Sequence, residues 1–400
     1  MIGTAGNKGD SIRSDCFISV ELTGKGGIEI DLRSKVASLY GRSIRERCSD
    51  ILSYFGVGNA RVIIEDEGAL DFVISARMEA ALKKLKPSEK QYLLPVPSAT
   101  AERTHRHKPR RSRLYIPGNS PKLMINAGIH GADGVILLED SVAPEKKDEA
   151  RYLVRNALRA LNFYGAEKMV RINQVPEGMK DLEFIVPHNV NLILIPKCET
   201  TEQILQVEEE IKRIAGTPDH GIHMMPIIES ALGVINAYVL ASASTNIVAL
   251  AIGLEDYTAD LGTRRSEEGK ESFFARSAIV NAAAAAGIQA IDSVYSDVAD
   301  MEGLQRNVTD SRALGFVGMG CIHPRQIKII NEGFNPDETE IERAKEIVLA
   351  FEEAERNGSG VIVIGSKMID LPVVKRALSI IKTAVGNGLL KPEWREENHD

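Results

Sequence analysis

No run of apolar residues in this sequence is long enough to span a bilayer, and the opening stretch Met1 to Asp10 lacks the apolar centre of a signal peptide. Both absences point to a cytoplasmic protein. Zinc-type and redox spacing of cysteine is missing too. Cys16, Cys48, Cys198 and Cys321 are scattered with no CxxC pair, as reduced thiols would be. An excess of basic charge is likewise absent: the formal net charge is -7 over 400 residues, which argues against nucleic acid or an anionic membrane as the main partner. What remains, 44% hydrophobic and 26% charged, is an ordinary globular composition in a chain long enough for two or three domains.

Residues 1–86 read as a small two-layer α+β domain. Phe17 to Leu22 and Gly27 to Leu32 alternate around a Thr-Gly-Lys-Gly-Gly turn, which predicts a β-hairpin. An amphipathic helix follows, with Ile44, Cys48, Ile51, Leu52 and Phe55 on one face. A strand at Arg61 to Ile64 and a helix from Asp71 to about Leu85 complete the unit. Residues 87–110 read as a linker, because Pro87, Pro95, Pro97 and Pro109 forbid a long helix. Its basic run from Arg103 to Arg113 is either solvated chain or a contact for ligand phosphates.

Residues 247–257, Ile-Val-Ala-Leu-Ala-Ile-Gly-Leu-Glu-Asp-Tyr, set the pattern for the rest. A continuous apolar run ends in Gly253 and the acids Glu255 and Asp256, the signature of a buried parallel strand with carboxylates at its carboxyl end. Such a pair also suits a helix N-terminus. The same grammar recurs at Arg113 to Ile116, Val135 to Leu138, Met169 to Ile172, Leu192 to Ile195, His223 to Ile228, Gln289 to Val294 and Phe316 to Ile322, with helical stretches between. That alternation predicts an α/β fold, a (β/α)8 TIM barrel over residues 111–330 with its site at the carboxyl ends of the strands. Residues 331–400 lie outside the eightfold count and read as a C-terminal helical lid or an oligomer-forming arm.

The strand ends supply the chemistry. In order they carry Pro117-Gly118-Asn119, Glu139-Asp140, Arg171 with Asn173, Lys197, Glu229-Ser230, Glu255-Asp256, Tyr295-Ser296-Asp297 and His323. Glu229 and Asp256 are hard oxygen donors without histidine or cysteine partners, a set that suits Mg2+. Arg171 offers a fork for a substrate carboxylate, or else a barrel salt bridge with Glu139. Glu139 and Asp140 would orient metal-bound water. A metal beside an arginine in a barrel mouth holds a 2-oxo acid and stabilises an enolate, so carbon–carbon bond cleavage or formation is the natural reaction class. His323 before Pro324 reads as readily as a residue satisfied by local hydrogen bonds as a catalytic one, and Lys197 is a candidate Schiff-base lysine that the carboxylate pair makes unnecessary.

Two resemblances sharpen these expectations. Arg13-Ser-Asp-Cys-Phe-Ile18 and Gly68-Ala-Leu-Asp-Phe-Val-Ile-Ser-Ala-Arg-Met-Glu-Ala-Ala-Leu82 resemble the citrate lyase acyl carrier (gamma) subunit. In that family a serine two residues before an aspartate carries a covalently attached, CoA-derived prosthetic group. Here that position is Arg13, with Ser14 one place on, so Ser14 is the candidate attachment site and an ordinary loop serine the alternative. The second resemblance rests on Ser112-Arg-Leu-Tyr-Ile-Pro-Gly-Asn119, Leu138-Glu-Asp-Ser-Val142, Val170-Arg-Ile-Asn173, Ile228-Glu-Ser-Ala-Leu-Gly233, Gly253-Leu-Glu-Asp-Tyr257, Cys321-Ile-His-Pro-Arg-Gln326 and Ser366-Lys-Met-Ile-Asp370. These are similar to the citrate lyase beta subunit and the citramalyl-CoA and malyl-CoA lyases.

The resemblance implies a Mg2+-dependent lyase that cleaves a citryl- or citramalyl-type thioester to an acetyl thioester and a 2-oxo acid, oxaloacetate or pyruvate. It implies Glu229 and Asp256 as metal ligands, Glu139 and Asp140 on metal-bound water, and Arg171 on the substrate carboxylate. Asp370, which alone reads as a turn residue before Pro372, would be a lid acid/base reaching a neighbouring subunit of a homo-oligomer, a trimer in the family. The substrate would be an acyl-CoA or an acyl-carrier thioester, and a citrate lyase alpha (transferase) subunit a possible partner. Two alternatives stay open: a malyl-CoA-type lyase with the first domain as a docking module, and a non-catalytic scaffold subunit. One acid that the family carries at strand two is replaced here, within Ile136-Leu-Leu-Glu-Asp140.

Overall fold

The computed structural model describes residues 1–138, 142–356, 362–364 and 367–395. The first unit is a four-stranded sheet of β1 (Ile2–Gly6), β2 (Cys16–Leu22), β3 (Ile28–Ser34) and β4 (Ala60–Asp66), with helices Ala37–Tyr54 and Asp71–Lys83. The sheet order is β1-β2-β4-β3, so the expected hairpin of β2 with β3 does not form. Instead β4 inserts between them, antiparallel to β2 and parallel to β3. Burial explains the order. In β4, Ala60, Val62 and Ile64 are buried, which suits a strand paired on both edges, whereas β3 carries Glu29, Asp31 and Arg33 and sits at the edge.

The strand β1 has no counterpart in the sequence reading. Its burial does not alternate cleanly, and a Cβ on Gly3 would lie 2.2 Å from the Ala81 carbonyl oxygen. Glycine therefore lets this strand pass close to helix Asp71–Lys83, at the expense of a legible β pattern.

Eight parallel strands form the closed barrel: β5 (Ser112–Pro117), β6 (Gly134–Leu138), β7 (Glu167–Arg171), β8 (Leu192–Ile195), β9 (His223–Ile228), β10 (Ala249–Ile252), β11 (Gln289–Asp292) and β12 (Gly318–Cys321). Side chains fill its interior, among them Ile136, Met169, Leu192, Leu194, Met225 and Ile291, so the barrel is a packed core. A larger apolar shell lies between the strands and the outer helices.

Helix Asp71–Lys83 belongs to two cores at once. Ile74, Met78, Ala81 and Leu82 face the first sheet, while Phe72, Val73 and Ala76 join the barrel shell. Its charged residues are buried and paired. Arg77 makes a two-pronged contact with Asp15 at 2.9 and 3.0 Å, and Glu79 meets Arg155 of the barrel helix Lys147–Ala160 at 2.6 Å. The first unit is thus fastened to the barrel by apolar packing and the fully buried Glu79–Arg155 ion pair.

The basic run of the connecting segment runs across the amino-terminal end of the barrel. Arg103 donates to the Val190 carbonyl at 2.8 Å, Lys108 to that of Gly165 at 2.9 Å, and Arg110 pairs with buried Glu167 at 2.7 Å. These side chains cap backbone at the barrel base, the end opposite the strand-end acids. Beyond the barrel, helices Glu338–Arg356 and Leu371–Gly386 with the short strands β13 (Ile362–Ile364) and β14 (Lys367–Ile369) form a separate unit, whose core includes Ile347, Phe351, Ile381 and Trp394. No helix among the described residues is long and apolar enough to cross a membrane.

Candidate active site at the barrel mouth

The register of β9 against β10 sets the carboxylates side by side. Ile228 pairs with Ile252, so Glu229 and Gly253 leave the sheet together, and the Gly253 amide donates to the Ile228 carbonyl at 2.9 Å. A Cβ on Gly253 would fall 2.6 Å from Glu229 Oε1, which makes this glycine the wall against which the carboxylate rests. Helix Leu254–Asp260 starts at once, with Glu255 and Asp256 in its first turn. Gly253 takes the N-cap position and the acidic pair lies in the first turn, where it suits the helix N-terminus, while Asp256 pairs with Lys197. Glu255 turns outward to Arg265 at 2.9 Å.

Glu229 is 7% exposed. Burial pushes its carboxyl up to about 7, against the opposing pull of the Arg171 guanidinium and the Lys197 amide, with Asp256 adding to the rise. Arg171, at the end of β7, sits 6.0 Å from the centroid of the Tyr115 ring on β5. Lys197, just past β8, donates its amide to Glu229 Oε2 at 3.0 Å and brings its ammonium 3.1 Å from Asp256 Oδ1. Three of the expected site residues, Arg171, Glu229 and Asp256, are thus brought together, and Lys197 is the fourth. An ammonium ion-paired to a carboxylate is not the desolvated amine a Schiff base requires. Glu139 and Asp140, at the end of β6, lie outside the described residues.

Other strand ends have structural work. His323 caps helix Pro324–Phe334, its Nδ1 accepting from the Arg325 amide at 3.2 Å. Tyr295 donates its hydroxyl to Asp300 at 2.7 Å, and Asp297 accepts from the Ala299 amide at 2.8 Å. Asn173 is buried and donates to Asp181 at 2.8 Å, and Ser230 caps helix Ala231–Ile235. Asp370 caps helix Leu371–Gly386 in the outer unit, accepting from the Val373 amide at 3.4 Å. Ser14, in the loop between β1 and β2, has a left-handed backbone with φ 57°, and its amide donates to the Glu67 carbonyl at 3.0 Å.

Whether a metal suits these residues follows from the donors. Among the described residues no group of three or more His, Cys, Asp or Glu gathers as a metal cage. Two adjacent carboxylates with no nitrogen or sulfur donor fit Mg2+, which fills most of its octahedron with water and substrate oxygens, and do not fit zinc. A polar groove of about 710 Å³ opens beside the mouth, bounded by Glu255, Arg265, Arg276, Tyr295 and Arg306.

Comparison with known proteins adds independent findings. Residues 111–324 match the family model HpcH/HpaI aldolase/citrate lyase, and residues 6–85 match a model described as malonate decarboxylase delta subunit (MdcD). The citrate lyase subunit beta of Leuconostoc mesenteroides subsp. cremoris is 41% identical over 290 residues, 71% of this chain and 96% of that protein. Mitochondrial citramalyl-CoA lyase of Homo sapiens is 33% identical over 295 residues, 70% of this chain and 87% of that one. Among solved structures, protein CitE from Mycobacterium tuberculosis in complex with magnesium, acetoacetate and coenzyme A gives a TM-score of 0.58 at 28% identity, covering 70% of this chain and 99% of that one. A citrate lyase from Burkholderia xenovorans LB400 gives a TM-score of 0.62 at 19% identity, covering 73% of this chain and 96% of that one, which is a likeness of fold.

Proposed function

The chain belongs to the HpcH/HpaI aldolase/citrate lyase family as an oxo-acid lyase of the citrate lyase beta type, and from that premise we propose that it cleaves a citryl- or citramalyl-type thioester with Mg2+. The products would be an acetyl thioester and oxaloacetate or pyruvate. The observation that carries the reading is the convergence of Glu229, Asp256 and Arg171 at one barrel mouth. Magnesium in the complex of protein CitE with acetoacetate and coenzyme A, and in that of a Mycobacterium tuberculosis citrate lyase beta subunit with oxaloacetate, supports it.

Glu229 and Asp256 would hold Mg2+, which supplies Lewis-acid polarisation of the substrate hydroxyl and carboxylate. Arg171 would bind the carboxylate of the 2-oxo acid moiety through its planar fork, with the Tyr115 ring 6.0 Å from its guanidinium. Glu139 and Asp140 would order water at the metal. Asp370 would move a proton at the acetyl carbon from a neighbouring copy of the chain. Exposed Leu232, Ile235, Tyr238, Val239, Phe273 and Phe274 lie on mutually packed helices after β9 and before β11, an apolar face suited to a homo-oligomer, with a trimer as the reading.

A second reading concerns where the thioester is held. The loop bearing Ser14 begins after Gly6, whose amide donates to Glu149 at 2.8 Å and whose carbonyl accepts from Lys146 at 3.0 Å, both around the start of helix Lys147–Ala160. An arm on Ser14 would start at the rim of its own barrel, at high effective concentration. A free acyl-CoA would instead leave the first unit as a docked module. Intact-mass measurement of natively isolated protein separates the two by the presence of a CoA-derived arm on the Ser14 peptide. For the lyase itself, Asp256→Ala should lower kcat by at least about a thousandfold with the circular dichroism unchanged. Turnover within tenfold of the parent would remove Asp256 from the metal site.

A further inference from the structure

We infer that Lys197 is the resident counter-cation of the Glu229 and Asp256 pair, holding both carboxylates in place and giving up its position beside Asp256 when a divalent cation enters. The inference rests on the metal reading above and adds a positioning residue to it. Lys197 is the one residue that touches both acids among the described contacts: its amide reaches Glu229 Oε2 at 3.0 Å and its Nζ reaches Asp256 Oδ1 at 3.1 Å.

Its backbone shows that this arrangement is imposed. The φ of Lys197 is 51°, in the left-handed region that a lysine adopts only when its surroundings demand it. Those surroundings can be named. The Lys197 carbonyl accepts from Gln203 Nε2 at 3.3 Å, and the next amide, of Cys198, donates to the Ile227 carbonyl at 3.1 Å. Gln203 is itself fixed by the capping box of helix Thr201–Ala215. Pinned on both sides, the left-handed turn points the 197 amide at Glu229.

Charge gives the device its purpose. Among the described groups, Arg171 and Lys197 are the cations that act on Glu229 and Asp256. A positive charge therefore sits against the pair before a metal arrives, which lessens the repulsion between the two carboxylates. A divalent ion adds two positive charges, which a substrate carrying carboxylates offsets, and the ammonium then becomes a like-charged neighbour. The ion pair can give way, because the Lys197 and Asp256 side chains are 48% and 53% exposed.

The test is calorimetric titration with MgCl2 of the full-length parent, Lys197→Met, Lys197→Arg and Asp256→Ala. Lys197→Met should bind Mg2+ about three- to tenfold more tightly, as expected when a competing half-exposed cation is removed. Lys197→Arg should stay within twofold of the parent. Lys197→Gln serves as a second neutral variant if methionine disturbs the strand end. Unchanged or weaker binding in the neutral variants, with Asp256→Ala still abolishing binding, overturns the role of Lys197 and leaves the metal reading standing. Retained binding in Asp256→Ala overturns both.

Discussion

Glu79 and Arg155 fasten the first unit to the barrel, and removing one charge from the pair should be costly. Both side chains are fully buried, with Arg155 Nη2 2.6 Å from Glu79 Oε2 and Nη1 3.3 Å from Oε1. Glu79→Gln keeps the shape and an acceptor but strands the guanidinium. At about 3 Å and an effective dielectric of about 20, the lost attraction is about 5 kcal/mol. Hydrogen bonds to the glutamine and to the Asn156 side chain, at 3.0 Å, recover part of it. The net loss for an orphaned buried partner is about 3 to 5 kcal/mol. Lys83, 3.1 Å from Glu79, loses a partner too. Urea unfolding followed by far-ultraviolet circular dichroism reads the loss as a lower midpoint at constant slope. Hydrogen exchange should place the increased opening in helices Asp71–Lys83 and Lys147–Ala160. The double change Glu79→Leu with Arg155→Met should recover most of the stability, since a buried pair and an apolar replacement are close in free energy. A Glu79→Gln protein within about 0.5 kcal/mol of the parent would refute the reasoning.

Two further predictions probe other parts. Gly253→Ala should drive Glu229 off its position, since the new Cβ would lie 2.6 Å from Oε1; we expect Mg2+ affinity at least about tenfold weaker by calorimetry, and unchanged affinity would contradict Glu229 as a ligand. His188 is 3% exposed, and burial followed by the charges of Arg155 and Arg159 pushes its pKa down to about 3. The fold therefore keeps the imidazole neutral while the unfolded chain protonates near its ordinary value of 6.5. Stability from this group is whole above that value and falls by about 1.4 kcal/mol per pH unit below it, about 2 kcal/mol by pH 5, until pH nears the folded value. His188→Gln should flatten that slope in denaturation measured from pH 7.5 to 5, and an equally steep slope in the variant would assign it elsewhere.

The barrel is legible in the sequence because parallel strands covered on both faces must be short apolar runs, and Leu192 to Ile195 or Ala249 to Ile252 can be little else. The site is legible for a related reason: the fold itself fixes where strand ends point, so Arg171, Glu229 and Asp256 converge once the strands are placed. Sheet order in the first unit was not legible. β2 and β3 alternate as a hairpin would, and only the competition of β4 for the inner position, won by its buried Val62 and Ile64, separates them. β1 was hidden because close packing at Gly3 replaces the side chains that mark a strand. The double contact of Lys197 was hidden as well. It depends on the sign of a backbone angle, which Gln203 and Ile227 set from different elements. His323 shows the converse, a residue that looked equally catalytic or structural and whose ring nitrogen is spent on a helix cap.

Mg2+-dependent cleavage is proposed for the mouth shared by Glu229, Asp256 and Arg171. Its most direct measurement is the release of oxaloacetate from citryl-CoA and of pyruvate from citramalyl-CoA by the purified full-length chain, followed by coupled oxidation of NADH. Release of at least one 2-oxo acid, abolished by EDTA and restored by excess MgCl2, is the expected result. Release that persists undiminished in EDTA, or no release from either thioester by folded, Mg2+-loaded protein, would contradict it.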